Sequence, residues 1–437
     1  MKQVYMSVST DILHYGHIQI MQKAAAMGEL TVGILTDKVI SKSRRPSLVP
    51  FEKRWQMIEA LEFVSHVIKK DTLSYRPIIE QYHPDIIVHG DEWKTGSKAK
   101  LRSEVIELLD QLGGELVEFP YTKDENINAL EGDVFRRYAI PEIRRGMLRR
   151  LLNLKKSIRV LEAHNGLTGL VVENAKVHMD NGEEREFDAM WISSLCDSAS
   201  RGKPDIELVD WSSKIDRINE IMEVTTEPII VDGDTGGLTE HFVYNVQTLE
   251  RLGVSAVIIE DKTGLKKNSL FGTEVRQTQA EPDSFAEKIH LAKQALKTSE
   301  FMIFARIESL ILDQGMEDAL MRAGKYVHAG ADGIMIHSRQ KKPDEVFEFC
   351  ESFKSSYPDV PIVVVPTTYN QIKEEELAAC GINVIIHANH LLRSAFPAMQ
   401  KTAEAILRDG CSGEEAEKYC MSIKEIINFI PVKGESI

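Results

Sequence analysis

From Ile158 onward the chain carries eight short apolar runs, and each of them ends in polar side chains. They read IRVLEA, DAMWISS, PIIVDGD, AVIIED, FMIFARIE, GIMIHS, PIVVVPT and NVIIHAN. Continuous rather than alternating apolar runs are what strands look like when both faces are buried, as in parallel sheets. Helical spans such as AEKIHLAKQALKTSE separate most of them. Eight parallel strands with intervening helices predict a (β/α)8 barrel, whose functional groups gather at the carboxyl ends of the strands. Those ends carry Glu162 and His164, Ser193, Asp232 and Asp234, Glu260, Arg306 and Glu308, His337, Thr367, and His387 with Asn389. One polar strand end is ordinary. Their repetition at the same end of successive strands marks a site.

The richest part of that pattern lies between Pro228 and Leu270. Asp232 and Asp234 are two apart on a strand and so share a face. Hard carboxylate oxygens converging in this way suit Mg²⁺, which takes few protein ligands and keeps several waters. Glu260 and Asp261 end the next run, and a loop with Lys262, Lys266, Lys267, Asn268 and Ser269 follows. A metal platform beside a loop that delivers ammonium and amide groups implies a small anionic substrate, closed over during reaction.

The first part of the chain reads differently. KQVYMSV, LTVGIL and IIVHGD are strand-like and alternate with helical spans, which predicts a doubly wound parallel sheet. Ligands of such sheets sit beyond the carboxyl ends of the strands, near helix N-termini. His14-Tyr15-Gly16-His17 falls there. Imidazoles three apart at a helix start share one face, and Gly16 lets phosphates approach the backbone. Two such donors suit charge developing on a nucleotide's phosphates.

At 437 residues the chain is long enough for two or three domains. The pattern divides it into an α/β nucleotidyltransferase-like, Rossmann-like domain over 1–125, a linker over 126–157, and the barrel over 158–437. The linker's RRYAIPEIRRGMLRRLLNLKK is strongly basic and reads as a solvated connecting helix. A net charge of −14 argues against nucleic acid as a partner, because phosphate backbones reward basic faces. Five scattered cysteines without a C-x-x-C fit reduced thiols rather than a disulfide frame or zinc site. There is no run long enough for a membrane span and no signal-peptide apolar region, so a cytoplasmic protein is expected.

Two resemblances sharpen these readings. H-Y-G-H, the segment Glu52 to Trp55 and the segment His89 to Trp93 resemble the cytidylyltransferases related to glycerol-3-phosphate and ethanolamine-phosphate cytidylyltransferase. That resemblance implies that His14, Gly16 and His17 meet the phosphates of CTP, and that Arg54, with Arg44 or Arg45, contacts them. It puts Asp91 and Trp93 near nucleotide or acceptor. The family's Arg-Thr-Glu-Gly-Ile-Ser-Thr signature is absent, and VEFPYTKDENINALEG stands in that part of the chain. The domain is therefore either a transferase with altered acceptor chemistry or a non-catalytic nucleotide-binding module.

The stretch from about Ile158 to Phe429 is similar to phosphoenolpyruvate mutase, in the isocitrate lyase superfamily. EAHNGLTGLVVE, WISSL, SASRGKPD, VDGDTGG, EDKTGLKKNSL, ARIES and GADGIMIHS carry the likeness. It implies Mg²⁺ on Asp232, with Asp234 and Glu260 in its water shell, and substrate contacts from Trp191, Ser193, Leu195, Ser269 and Leu270. It also implies catalytic roles for Asp205, Lys266, Asn268, Arg306 and His337. The superfamily's lyases carry Lys-Lys-Cys-Gly-His, where this chain has Lys266-Lys267-Asn268-Ser269, so the lyases' thiol is missing. The implied reaction interconverts phosphoenolpyruvate and phosphonopyruvate, with phosphonopyruvate hydrolysis as the alternative in the same fold. The fused order resembles the bifunctional enzymes of fosfomycin biosynthesis. It implies CMP transfer to a phosphonate such as 2-hydroxyethylphosphonate, a downstream phosphonopyruvate decarboxylase, and a homo-oligomer.

Overall fold

The computed structural model describes residues 1–9, 11–42, 45–94, 99–120, 132, 136–179, 184–264 and 266–430. Its first sheet has five parallel strands: β1 (Gln3–Val8), β2 (Glu29–Leu35), β3 (His66–Lys70), β4 (Ile86–Gly90) and β5 (Glu115–Phe119), in the order β3-β2-β1-β4-β5. Period two decides what each face buries. Val4, Met6 and Val8 of β1 join Met21, Ala24 and Ile58 from two helices on one side. Tyr5 faces Ile79, Trp93, Val105 and Leu109 on the other. β3 and β5 were not expected as strands; HVIKK and ELVEF are short and half polar, so they lack the apolar run that marks a central strand.

All eight expected runs of the second part are strands, and they close into one parallel barrel. They are Ile158–Glu162, Ala189–Ile192, Ile229–Asp232, Ala256–Glu260, Met302–Ile307, Gly333–Ile336, Ile362–Val364 and Val384–His387. The eighth pairs with the first, His387 beside Leu161, which removes any open edge. The two faces of these strands separate cleanly. Val160, Trp191, Ile230, Ile258, Phe304, Met335, Val363 and Ile386 fill the barrel interior. Leu161, Ile192, Val231, Ile259, Ala305, Ile336, Val364 and Ile385 pack outward against the helices. Burial on both faces is why the runs read as continuous.

The helix Pro141–Leu154 corrects the reading of a solvated linker. Met147, Leu148 and Leu151 join the interior cluster, so the helix plugs the barrel's lower end. Arg144 and Arg145 are buried with it: Arg144 donates to the Thr225 carbonyl, and Arg145 to the Glu250 carbonyl at 2.9 Å. Guanidinium groups there complement the ends of neighbouring helices while their stems line apolar surface. The plug fits because Gly253, at φ +94°, lets the preceding helix end against Pro141; a Cβ there would lie 2.6 Å from the Pro141 Cα.

Along the C-terminal helix His390–Asp409 only Ala405 is buried. Phe396, Met399 and Leu407 lie exposed, as do Ile423 and Ile427 beyond it. Among the described residues no helix is long and apolar enough to cross a membrane.

Candidate active site

The barrel mouth is built from strand ends and one loop. Lys262–Thr263 and Thr278–Gln279 form a two-residue antiparallel ribbon that pins both ends of the intervening loop. Leu265 in that loop lies outside the described residues. Lys266 is 5% exposed and donates to the Ser194 hydroxyl at 2.7 Å and to Asp205 at 3.2 Å, and it pairs with Asp234. Asn268 donates to the other Asp205 oxygen at 3.0 Å. Asp205 thus receives Lys266 and Asn268 from the loop, which draws the loop down over the mouth. Of the expected loop residues, Leu270 lies exposed, its N–H donating to the side-chain Oδ1 of Asn268 at 3.0 Å.

Beneath the loop the carboxylates take different partners. Asp232 accepts from the backbone N–H of Ser194 at 3.1 Å and its hydroxyl at 2.8 Å. Asp234, at φ +53°, gives one oxygen to Lys214 and the other to Lys266. A non-glycine residue held at positive φ costs about 1–3 kcal/mol and marks a constrained position. Burial pushes the Asp234 carboxyl up, but the two ammonium groups win and hold it well below the usual carboxylate range. Burial likewise opposes the charge of Lys266; Asp234, Asp232, Glu260 and Asp205 around it keep it protonated well above the usual lysine range.

Around Arg306 the mouth holds a second knot. Arg306 donates to Glu308 at 2.6 Å, to the Ser269 hydroxyl at 2.6 Å and to His337 Nδ1 at 2.8 Å. Lys262 reaches Ser269 at 2.8 Å and Glu308 at 3.0 Å. Burial and the neighbouring Arg306 push His337 down, so it is neutral and accepts at Nδ1. Glu260 stands apart: both its oxygens are buried without a hydrogen-bond partner among the described residues, although Arg306 lies 3.4 Å away. Burial raises its pKa against the pull of Arg306, Lys266 and Lys262.

These facts bear on the expected metal. An orphaned buried carboxylate at Glu260 beside Asp232 is a donor set of the hard type that Mg²⁺ takes. Among the described residues, however, no three His, Cys, Asp or Glu side chains form a ready cage. Water-mediated binding is the mode that fits, since both Asp234 oxygens already hold lysines.

Ser193 and Trp191 sit differently from expectation. The Ser193 hydroxyl caps the helix Ser194–Ser200, accepting from the Cys196 N–H, and Trp191 is packed within the interior cluster. Leu195 is half-buried in that helix's first turn. The serine that faces Asp232 and Lys266 is Ser194, which the doubled serine of WISSL did not distinguish. Lys214 was missed as well. It comes from the helix Trp211–Val224, where one lysine among polar residues carries no sequence signal.

His14, Gly16 and His17 follow β1, and Asp91 and Trp93 follow β4, on either side of the point where the order of connections reverses. His14 stands at the N-cap position of the helix Tyr15–Ala25, and its ring lies 3.7 Å, centroid to centroid, from that of His17. Burial and the neighbouring His14 push His17 down to about 4. Gly16 is half-buried between them. Asp91 and Trp93 follow β4; Trp93 is fully buried, stacks on His89 at 3.7 Å and donates to Glu118 at 2.7 Å. With its N–H used and its faces covered, Trp93 supports the crevice through His89. Arg54 is buried, donating to Asp37 at 2.7 Å and to the Val49 carbonyl at 3.1 Å, while its Nη1 has no partner among the described residues.

Arg45, sought as a phosphate contact, pairs instead with Glu173 and Glu227 of the barrel. Arg44 and the 121–131 segment, where the hydroxyl-rich signature was sought, lie outside the described residues.

Residues 148–407 match the family model for phosphoenolpyruvate phosphomutase, and residues 9–128 match that for cytidylyltransferase-like proteins. The phosphonopyruvate hydrolase of Variovorax sp. (strain Pal2) is 36% identical over 284 residues, 64% of this chain and 93% of that protein. The phosphoenolpyruvate phosphomutase of Tetrahymena pyriformis is 34% identical over 283 residues, 64% of this chain and 89% of that one. A solved phosphoenolpyruvate phosphomutase from Streptomyces platensis subsp. rosaceus superposes with a TM-score of 0.59 at 33% identity, covering 64% of this chain and 93% of its own. A phosphonopyruvate hydrolase solved with oxalate and Mg²⁺ gives 0.57 at 33% identity, covering 64% of this chain and 93% of its own. The closed barrel, the charged knot at its mouth and these matches over most of the chain agree: it belongs to the phosphoenolpyruvate phosphomutase family and carries a cytidylyltransferase-like domain ahead of the barrel.

Proposed function

We propose that the barrel interconverts phosphoenolpyruvate and phosphonopyruvate, and that the N-terminal domain transfers CMP from CTP to a phosphonate such as 2-hydroxyethylphosphonate. The observation that carries the barrel reading is the closed loop, with Lys266 and Asn268 both bonded to Asp205. Moving a phosphoryl group from the enol oxygen to C3 breaks a P–O bond and forms a P–C bond within one molecule. Such a transfer passes through a loose state that needs positioning and cations rather than covalent help. Arg306, its fork steadied by Glu308 and Ser269, presents a guanidinium for phosphoryl oxygens, with neutral His337 beside it. The Asn268 amide can hold the migrating group without attacking it, and the closed loop keeps out the water that would divert it to phosphate.

Mg²⁺ would be held by Asp232, with Asp234 and Glu260 reached through water, and supplies positive charge where the enolate forms. Ser194 orients Asp232, and Lys214 fixes Asp234 from the side opposite Lys266.

A hydrolase among the relatives keeps phosphonopyruvate hydrolysis as the second reading. The mutase reading is favoured because the family model and further relatives are phosphomutases, and because a C–P bond maker joined to a CMP transferase serves one route. Phosphonopyruvate formation is uphill, so a decarboxylase consuming it belongs with this enzyme. Five unpaired cysteines support a reducing cytoplasm, and the exposed Phe396, Met399, Leu407 and Ile427 support a homo-oligomer.

Phosphorus NMR of the protein with phosphonopyruvate and Mg²⁺ tests the barrel: a phosphoenolpyruvate signal supports the mutase, and none contradicts it. Pyrophosphate release from CTP with hydroxy- or aminoethylphosphonate tests the other domain. No release with any acceptor leaves a nucleotide-binding module.

A further inference from the structure

The segment from Arg45 to Pro50 belongs by sequence to the N-terminal domain, but it is fastened to the barrel. Arg45 donates to Glu227 at 2.7 Å, to Glu173 at 2.8 Å and to the Thr226 hydroxyl, and its guanidinium lies 5.3 Å from the centre of the Tyr138 ring. Tyr138 in turn donates to the Pro46 carbonyl at 2.8 Å, and Leu48 packs on the interior cluster that includes Met147 and Leu148. These are contacts to the barrel's lower end. Glu173 closes the first helix after the first strand, and Glu227 lies just before the third.

The other side of the same segment faces the nucleotide crevice. Asp11, three residues before His14, accepts from the Val49 N–H at 3.0 Å and from the Ser47 hydroxyl. The Val49 carbonyl accepts from Arg54 at 3.1 Å. Asp37 is shared: one oxygen takes Arg54 at 2.7 Å, and the other takes Arg150 of the barrel's plug helix at 3.3 Å. Both halves of the expected CTP site therefore hang from groups the barrel holds: the histidine turn through Asp11, and Arg54 through Asp37 and Val49.

We propose that Arg45 and Arg150 are positioning residues for nucleotide binding, and that the barrel serves the N-terminal site as a template for the 45–54 strap. The proposal rests on the reading of that domain as CTP-binding. Neither residue touches the barrel mouth. Each acts through others, by fixing where the unpartnered Arg54 Nη1 points. A displacement of about 1 Å in a binding group can cost up to about 100-fold, so loss of the strap is felt as weaker CTP binding.

The test uses the full chain and two variants. Arg45→Ala removes the partner of two buried carboxylates and so carries a folding cost; Arg150→Met removes only a peripheral pair and is the safer probe. CTP binding by calorimetry is expected to weaken about tenfold in Arg45→Ala and about threefold in Arg150→Met, with partial rescue by Arg45→Lys. Mutase turnover is expected to stay at the wild-type value in both. Without nucleotide, amide exchange over 11–17 and 47–54 is expected to quicken in Arg45→Ala. Wild-type CTP affinity and exchange in both variants would overturn the proposal alone. A wild-type protein that binds no CTP would overturn the nucleotide reading, and the proposal with it.

Discussion

At the barrel mouth Lys214, Lys262, Lys266 and Arg306 each meet a carboxylate of their own chain. At the carboxyl edge of the N-terminal sheet, Arg54 Nη1 and His17 Nδ1 are buried with no partner among the described residues. The cations of the first site are paired within the chain, as in a preorganised site. The second leaves buried donors of the kind a ligand's acceptors would satisfy. The two lie at opposite ends of the barrel. The strap holds the N-terminal domain to the lower end of the barrel, while the loop closes over the upper end.

The largest expected effect comes from the knot that closes the mouth. Lys266→Met leaves Asp234 and Asp205 facing each other without their shared cation, and mutase turnover is expected to fall about 1000-fold or more, read by phosphorus NMR. A loss below tenfold would mean that the mouth is not pre-paired in the way described. Next, Arg54→Met is expected to weaken CTP binding by about 100-fold while leaving mutase turnover intact, which separates the two sites in one protein. Equal losses in both reactions would erase the distinction.

Asn268→Ala keeps the lysine but loses the amide bond to Asp205, so the loop closes less well. Turnover is expected to drop about 10-fold to 100-fold, with inorganic phosphate rising relative to phosphoenolpyruvate. An unchanged product ratio would dissociate Asn268 from water exclusion. The smallest effect is on stability. His17 binds its proton at about pH 4 in the folded chain, against an ordinary value of 6.5. Between those values the unfolded chain binds more protons, so acidification through that window costs stability. His17→Asn is expected to flatten the fall in denaturation midpoint between about pH 6.5 and 4, and an unaltered slope would place His17 in a solvated position.

The barrel was readable because its signal is redundant. Eight doubly buried strands each leave a continuous apolar run, and Asp232, Glu260, Arg306 and His337 mark their ends. Groups supplied by helices left no such trace. Lys214 and Arg150 reach their partners from helix faces whose aim depends on packing three dimensions away from their neighbours in sequence. The plug helix was misread for a related reason. Its run of arginines outweighed the Ile143-Met147-Leu148-Leu151 stripe, although buried guanidinium groups are stable where helix-end carbonyls receive them. Arg45 looked like a phosphate ligand because sequence gives its charge but not its two glutamates, which lie 128 and 182 residues away.

The central claim is that the mouth keeps a migrating phosphoryl group from water, and solvent label tests it most directly. Phosphonopyruvate is incubated with the protein and Mg²⁺ in ¹⁸O-water and followed by phosphorus NMR. The account predicts phosphoenolpyruvate without solvent oxygen in its phosphoryl group. Inorganic phosphate carrying ¹⁸O as the main product would contradict it.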